Sequence, residues 1–316
     1  MEPKDTKVVV TGGKGFLGRF VTQELNKLKF GKVYSIGSKD YDLVHSHEVE
    51  KMFAQLSPTH IIHLAAAVGG IGSNVENPGY FSYANTMMGA NIIECSRKYG
   101  VEKVVVIGTI CVYPHDAPVP TSESQIFEGY PADDTAPYGI AKRNLWSMGA
   151  AYREQYGMNV IYLIPTNLYG PYDHFSNERS HVIPALIKRI VSAKMNGAGE
   201  INVWGSGSNT REFLHVEDAA KGIVKAFVEY NSSSPLNLGS GIETSIKELV
   251  ELIVEKVDYK GKVNWDSSKP SGAMRRSLDV SAIRREIGFS ANIKLTDGLN
   301  STVDWYLKSA KRVKER

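Results

Sequence analysis

Tyr138 and Lys142 stand four residues apart in the stretch APYGIAKRNL. On a helix that spacing puts both side chains on one face. A neighbouring ammonium favours phenolate, which makes the tyrosine a usable proton donor or acceptor near neutral pH. Alone, such a pair is usually plain helix surface. It gains weight from an upstream turn that can hold a dinucleotide. VVVTGGKGFLGRF sets Gly12, Gly15 and Gly18 directly after an apolar run and at the opening of an amphipathic one. A side chain at these points would block the tight turn, the approach of a pyrophosphate, or the seating of helix on sheet. The N–H groups that open the helix attract phosphate. The spacing is G-x-x-G-x-x-G rather than G-x-G-x-x-G, so the turn carries the reading only in company. Thr109, at the end of the fourth apolar run, can offer its hydroxyl to a substrate oxygen beside Tyr138; a capping threonine is the plainer alternative.

The residues after the second apolar run bear on the choice of dinucleotide. NAD sites usually place an acid there to grip the ribose hydroxyls. Here the run reads SIGSKD, with Ser38 and Lys39 ahead of Asp40, and Lys14 sits inside the glycine turn. Two cations and a hydroxyl suit a 2′-phosphate, so the expectation is NADPH, with Asp40 as ribose ligand the alternative and solvated surface charge the plainest reading of the two lysines.

The elements that must position these groups follow from periodicity. Short Val/Ile-rich runs predict strands at Lys7–Thr11, Lys32–Ser38, His60–Leu64, Lys103–Gly108 and Asn159–Ile164, and their lack of alternation fits strands covered on both faces. Amphipathic stretches predict helices near Gly15–Leu28, Ser46–Leu56, Phe81–Tyr99 and Pro137–Gln155. After loops beyond Pro165, further helices are expected near Val182–Met195, Val216–Tyr230, Ser245–Val257 and Leu295–Leu307. Strand–helix alternation implies an α/β fold, a Rossmann-type doubly wound parallel sheet carrying a smaller mixed α/β substrate-binding domain. The expected division is 1–170 with about 211–240 for the dinucleotide-binding domain, and 171–210 with 241–316 for the substrate domain.

Composition narrows the function classes. The chain has 316 residues, 42% of them hydrophobic and 22% charged, and a net charge of +3. Such a balance argues against disorder and against a dedicated nucleic-acid binder. Two cysteines, Cys95 and Cys111, are too few for a disulfide framework or a four-thiolate zinc site, and no metal is expected. With no leader-like start and no apolar run of membrane-spanning length, a cytoplasmic protein without membrane partners is the expectation.

TGGKGFLG, HLAAAVGG and Tyr138-x-x-x-Lys142 resemble the extended short-chain dehydrogenases/reductases. The resemblance implies a triad of Thr109, Tyr138 and Lys142, in which the tyrosine is the acid/base and the lysine binds nicotinamide ribose and lowers the phenol's pKa. Further blocks point to one family within that superfamily: HLAAAVGGIGSN, TICVYP, PYGIAK, PTNLYGPYDHF, SHVIPALI, VWGSG, REFLHVEDAA and GAMRRSLDVS. Together they resemble the GDP-L-fucose synthases, NADPH-dependent enzymes that epimerise carbons 3 and 5 of GDP-4-keto-6-deoxy-D-mannose and then reduce carbon 4.

That resemblance gives roles to residues that otherwise look idle. Cys111 and His181 match the family's acid/base pair, which such chemistry needs because one base cannot serve both faces of the sugar. Gly12, Lys14, Gly15, Phe16, Leu17, Gly18, Ser38, Lys39, Asp42, Leu43, Ala65, Ala66, Ala67, Tyr138, Lys142, Pro165, Asn167, Leu168 and His181 are the expected cofactor contacts. Thr109, Cys111, Asn167, Val182, Lys188, Arg189, Trp204, Arg211 and Arg276 are expected around the GDP-sugar, where arginine suits bidentate phosphate contact. The chain departs from the pattern in two places. Thr109 stands where serine is common, and Val68 follows Ala67 where a lysine is frequent. The rival activities are action on another GDP-4-ketosugar such as a heptose, and a 4-epimerase with bound NAD. A non-catalytic sensor has no need of an activated phenol. The family implies a homodimer, through helices near Phe81–Tyr99 and Pro137–Gln155.

Overall fold

A computed structural model describes residues 5–175, 180–268 and 273–314; Gly272, in one of the motif blocks, lies outside them. In chain order the first half runs β1 (Lys7–Thr11), α1 (Phe16–Lys27), β2 (Lys32–Ile36), α2 (Ser46–Leu56), β3 (His60–His63), α3 (Ile71–Glu76), α4 (Pro78–Lys98), β4 (Lys103–Ile107), α5 (Ala136–Tyr156) and β5 (Val160–Pro165). The second half runs β6 (Asn167–Tyr169), α6 (Val182–Met195), β7 (Glu200–Trp204), β8 (Thr210–His215), α7 (Val216–Glu229), β9 (Leu236–Leu238), β10 (Glu243–Ser245), α8 (Ile246–Val257), β11 (Lys262–Asp266), β12 (Arg275–Arg276), α9 (Ser281–Ile287) and α10 (Leu295–Lys314).

The expected strands and helices are present, with ends shifted by a few residues. The sequence reading lacked α3, α9 and all the strands after β5. Six strands form one parallel sheet in the order β2-β1-β3-β4-β5-β9. Val8–Val10, Ile61–Ile62 and Val104–Val106 are wholly buried, which explains why these runs do not alternate. Helices α2, α4 and α5 pack as one set and α1, α7 and α9 as another. Gly89 lets α4 meet α5, since a Cβ there would sit 2.3 Å from Leu145 Cδ1.

A second core gathers α6, α8 and α10 around Ile187, Ile190, Leu249, Ile253 and Val303. Its strands are β10-β8-β12, with β6 beside β8, and a parallel pair of β11 and β7. Leu278, Val280, Ile283, Ile287 and Phe289, in the segment expected with the substrate domain, pack instead on the sheet's core. The chain therefore enters the sheet's core once more here and returns to the second core in α10, two crossings beyond the expected division. Among the described residues no helix is long and apolar enough to cross a membrane.

Candidate active site

Strand order reverses between β1 and β3, and crevices at such a switch point, beyond the carboxyl ends of the strands, are where open sheets bind ligands. Strands β1 to β5 each deliver residues there: Gly12 and Lys14–Phe16 after β1, Gly37–Lys39 after β2, Leu64–Ala66 after β3, Gly108–Cys111 after β4, and Thr166–Leu168 after β5. All of them border one cavity of about 1200 Å³ that continues under α6 to β7, β8 and β12.

The turn after β1 is closed by geometry. Gly12 has φ +67°, and a Cβ there would lie 2.9 Å from Ala65 N. A Cβ on Gly18 would lie 2.2 Å from the Gly12 carbonyl, so this glycine seats α1 on the turn and does not border the cavity. Gly13, which the sequence reading passed over, is as constrained, with Ser35 Oγ 2.4 Å from its would-be Cβ. A close backbone cradle opening a helix suits a dinucleotide pyrophosphate.

Lys14, Ser38 and Lys39 border the cavity at this end. Asp40 does not: its carboxylate takes the Lys14 ammonium at 2.6 Å and the Gly37 N–H at 2.7 Å, and these contacts hold it below the usual carboxylate range. The acid offered as an alternative ribose ligand therefore serves as counter-charge to one of the two cations.

The strand-four end is held more tightly. Thr109 caps the single turn Ile110–Val112, its Oγ1 accepting the Cys111 N–H at 3.3 Å. Gly139 brings α5 onto that turn, because a Cβ there would lie 2.2 Å from the Cys111 carbonyl. Tyr138 thereby stands beside Thr109 and Cys111. Burial pushes its phenol up and Cys111 adds to that, while a hydrogen bond with Thr109 opposes it. Lys142 is 1% exposed and donates to the Ile107 carbonyl at 3.0 Å. Burial brings its ammonium down to about 8. The lysine was expected to lower the phenol's pKa; burial raises it, and the phenol is protonated at neutral pH. Tyr162 ties this arrangement to β5, its hydroxyl donating to the Lys142 carbonyl at 2.9 Å.

Opposite lies the second body. His181 caps α6 and opens to the cavity, its pKa lowered by surrounding protein and by His174. Val182, Arg189, Trp204, Arg211 and Arg276 also border the cavity. Arg211 and Arg276 are register partners across β8 and β12, and burial, then Arg276, lower the Arg211 pKa. Arg211 donates to the Thr210 and Ala273 carbonyls at 2.7 and 2.8 Å. Arg275 faces away and pairs with Glu243 at 2.5 Å. Asn167 and Leu168 begin β6 at the cavity floor, with Asn167 Nδ2 on the Glu212 carbonyl at 3.0 Å.

Five expected residues lie off the wall: Gly18, Asp42, Leu43, Ala67 and Lys188. Leu43 is core, at 5% exposure, and Asp42 accepts the Val44 N–H at 3.1 Å. Ala67 is taken up by Asn85, which bonds both its N–H and its carbonyl. The wall also includes His115, Asp134, Thr135, Asp173, His174 and Ser180, which sequence reasoning did not single out. Asp173 and His174 lay within PTNLYGPYDHF, and burial sets Asp173 apart. Among the described residues no cluster could hold a metal ion.

Comparison with known proteins agrees with this geometry. A family model described as "NAD dependent epimerase/dehydratase family" matches residues 8–239. GDP-L-fucose synthase 1 of Arabidopsis thaliana is 40% identical over 309 residues, covering 98% of this chain and 95% of the relative. A GDP-L-fucose synthetase from Naegleria fowleri, solved bound to NADP, superposes with a TM-score of 0.91 at 30% identity, covering 98% of this chain and 96% of the other. A GDP-6-OMe-4-keto-L-xylo-heptose reductase from C. jejuni also gives 0.91, at 28% identity and 97% and 99% coverage. The chain belongs to the NAD dependent epimerase/dehydratase family, alongside the GDP-L-fucose synthases.

Proposed function

We propose that the chain converts GDP-4-keto-6-deoxy-D-mannose to GDP-L-fucose, inverting carbons 3 and 5 and then reducing carbon 4 with NADPH. The observation that carries this reading is that Thr109, Cys111, Tyr138, Lys142 and His181 border a single cavity, between a dinucleotide cradle and a pair of arginines. The C–H bonds at carbons 3 and 5 flank a carbonyl, so losing either proton leaves an enolate. Hydroxyls of Thr109 and Tyr138 stabilise its oxygen. Cys111 and His181 exchange protons with opposite faces of the ring. Bound NADPH supplies hydride to carbon 4. Tyr138, which burial keeps protonated, gives its proton to the alkoxide. Lys142 holds the nicotinamide ribose, with its Nζ fixed by the Ile107 carbonyl. Arg211 and Arg276 neutralise the diphosphate, and Lys14, Ser38 and Lys39 receive the 2′-phosphate.

A second reading, reduction of another GDP-4-ketosugar such as a heptose with little or no epimerisation, draws on the equal superposition of the C. jejuni reductase and on the added methyl of Thr109. Tyr80 and Tyr83 on α4 and Ile140 on α5 are exposed at 60%, 56% and 37%, an apolar face that suits a homodimer. Both cysteines are free, as a working Cys111 thiol in the cytoplasm requires. Sedimentation of the native chain and of Y83K, expected as dimer and monomer, tests the interface.

The deciding experiment incubates the chain with GDP-4-keto-6-deoxy-D-mannose and NADPH in heavy water. Deuterium at carbons 3 and 5 with the L-fuco configuration is the expected outcome. Reduction without deuterium favours the second reading, and failure to oxidise NADPH overturns both.

A further inference from the structure

The turn that carries Cys111 opens a long excursion of the chain. From Ile110–Val112 the chain leaves the sheet, and it returns through residues 129–131 before Asp133–Thr135 leads it into α5. Pro114 and Pro131 bridge the two arms antiparallel, and the His115 N–H donates to the Tyr130 carbonyl at 2.9 Å. Both arms reach the cavity. Cys111 and His115 border it on the outgoing arm, and Ala132, Asp134 and Thr135 on the returning one. Where this neck sits therefore decides where the Cys111 thiol sits.

Arg143 holds the neck from α5, one residue past Lys142. It is 6% exposed and does not border the cavity. Its Nε donates to the carbonyl of Val112, the residue after Cys111, and its Nη1 to the Gly129 carbonyl at 2.8 Å. The guanidinium carbon also lies 5.8 Å from the centre of the Phe127 ring, on the excursion itself. No carboxylate among the described residues pairs with it, and its Nη2 is buried with no hydrogen-bond partner among them. A buried guanidinium without counter-charge is a costly way to fill space that an apolar side chain could fill. What it supplies is a rigid fork that reaches both arms at once, which neither an apolar chain nor an ammonium reproduces.

We infer that Arg143 is a positioning residue for the proton exchange at carbons 3 and 5, setting the Cys111 turn against α5. This deepens the reading given above and rests on it. Thr109 Oγ1 holds the entry of the turn through the Cys111 N–H at 3.3 Å, and Gly139 lets the Cys111 carbonyl approach α5. Arg143 joins the exit of the turn to α5 and to the returning arm. The hydride step leans instead on Thr109, which precedes the turn, and on Tyr138 and Lys142, which Tyr162 ties to β5. Loosening the neck should therefore cost the exchange and spare the reduction.

Two assays separate these steps. Deuterium uptake from heavy water into GDP-4-keto-6-deoxy-D-mannose, with NADP+ in place of NADPH, reads the exchange without reduction. Oxidation of GDP-L-fucose by NADP+ reads the hydride step in reverse and removes no proton from carbon 3 or 5. In R143M the uptake rate at saturating sugar is expected to fall about tenfold or more, the cost of a misplaced reacting group. GDP-L-fucose oxidation and KM for both ligands stay near native. R143K, which reaches one carbonyl rather than two, is expected to lie between, and it carries the measurement should R143M fail to fold. Native-like uptake in both variants overturns the inference alone. So does an equal loss in the two assays or a raised KM, since that pattern belongs to a general structural role. Native enzyme that takes up no deuterium overturns the preceding reading, and this one with it.

Discussion

On one side of the cavity Thr109 and Cys111 stand in the turn after β4 and Tyr138 and Lys142 on α5, held by main-chain bonds or by a glycine that permits close packing. On the other side His181 opens α6 and Arg189 stands midway along it, Arg211 and Arg276 pair across β8 and β12, and Trp204 is 60% exposed. In the proposed reaction the first wall carries the chemistry, where a small error in placement is expensive. In the proposed reaction the second wall binds the nucleotide-sugar. A family that keeps one wall and varies the other can change substrates without rebuilding the reaction. One GDP-L-fucose synthetase and one GDP-heptose reductase superpose on this chain with the same TM-score.

The sharpest way to break this comparison is Y138F. Losing the phenolic proton should lower kcat for reduction by about 10³-fold, while NADPH binding measured by fluorescence titration stays near native. An active Y138F would place the proton donor elsewhere and dissolve the division between walls. On the opposite wall, R211A and R276A should raise KM for the GDP-sugar by about 10- to 100-fold with kcat little changed, the signature of lost ground-state binding. R211K should recover only part of this, since an ammonium does not reproduce the guanidinium fork. A drop in kcat with KM intact would move these arginines to the reacting carbons.

Much of the first wall was legible in sequence, because its strands are buried on both faces and its motif residues follow them at fixed offsets. β9 was not: Leu236–Leu238 is too short to show a period, and only its pairing with β5 makes it a strand. Gly139 carried no mark either, since nothing but the Cys111 carbonyl against α5 demands a glycine there. The second wall was harder to read. Arg211 and Arg276 came from resemblance, and their adjacency depends on a parallel pairing between segments about sixty residues apart. Asp173 looked like one more loop acid, because burial is a property of the tertiary structure. Lys14 and Asp40 were read as rival ligands, yet they bind each other.

Buried Lys142 gives the first wall a thermodynamic signature. Its pKa is about 8 against an ordinary lysine value of 10.5, so the unfolded chain binds more protons than the folded one between those values. The stability contributed by this group therefore rises with pH across that window, and below about 8 the burial penalty is fully present, on the order of 3 kcal/mol. K142M should melt above native protein at pH 7, with the gap closing toward pH 10. A constant gap would mean that Lys142 is not held charged and buried.

The smallest effect expected is at the cofactor end, where Lys14 and Asp40 form an exposed pair of the kind worth little to stability. Its importance lies in what it does to charge. With Asp40 on its ammonium, Lys14 offers a 2′-phosphate less than a free cation would. D40N should free Lys14 and lower KM for NADPH by a few-fold, about 0.5–1 kcal/mol on the scale of surface pairs, leaving NADH unchanged. K14A should act in the opposite direction and narrow the preference between the two cofactors. Because both effects are coulombic and near the surface, they should shrink when the Michaelis constants are remeasured at high salt. Equal responses of NADPH and NADH to D40N would put Asp40 back on the ribose, where both cofactors would feel its loss.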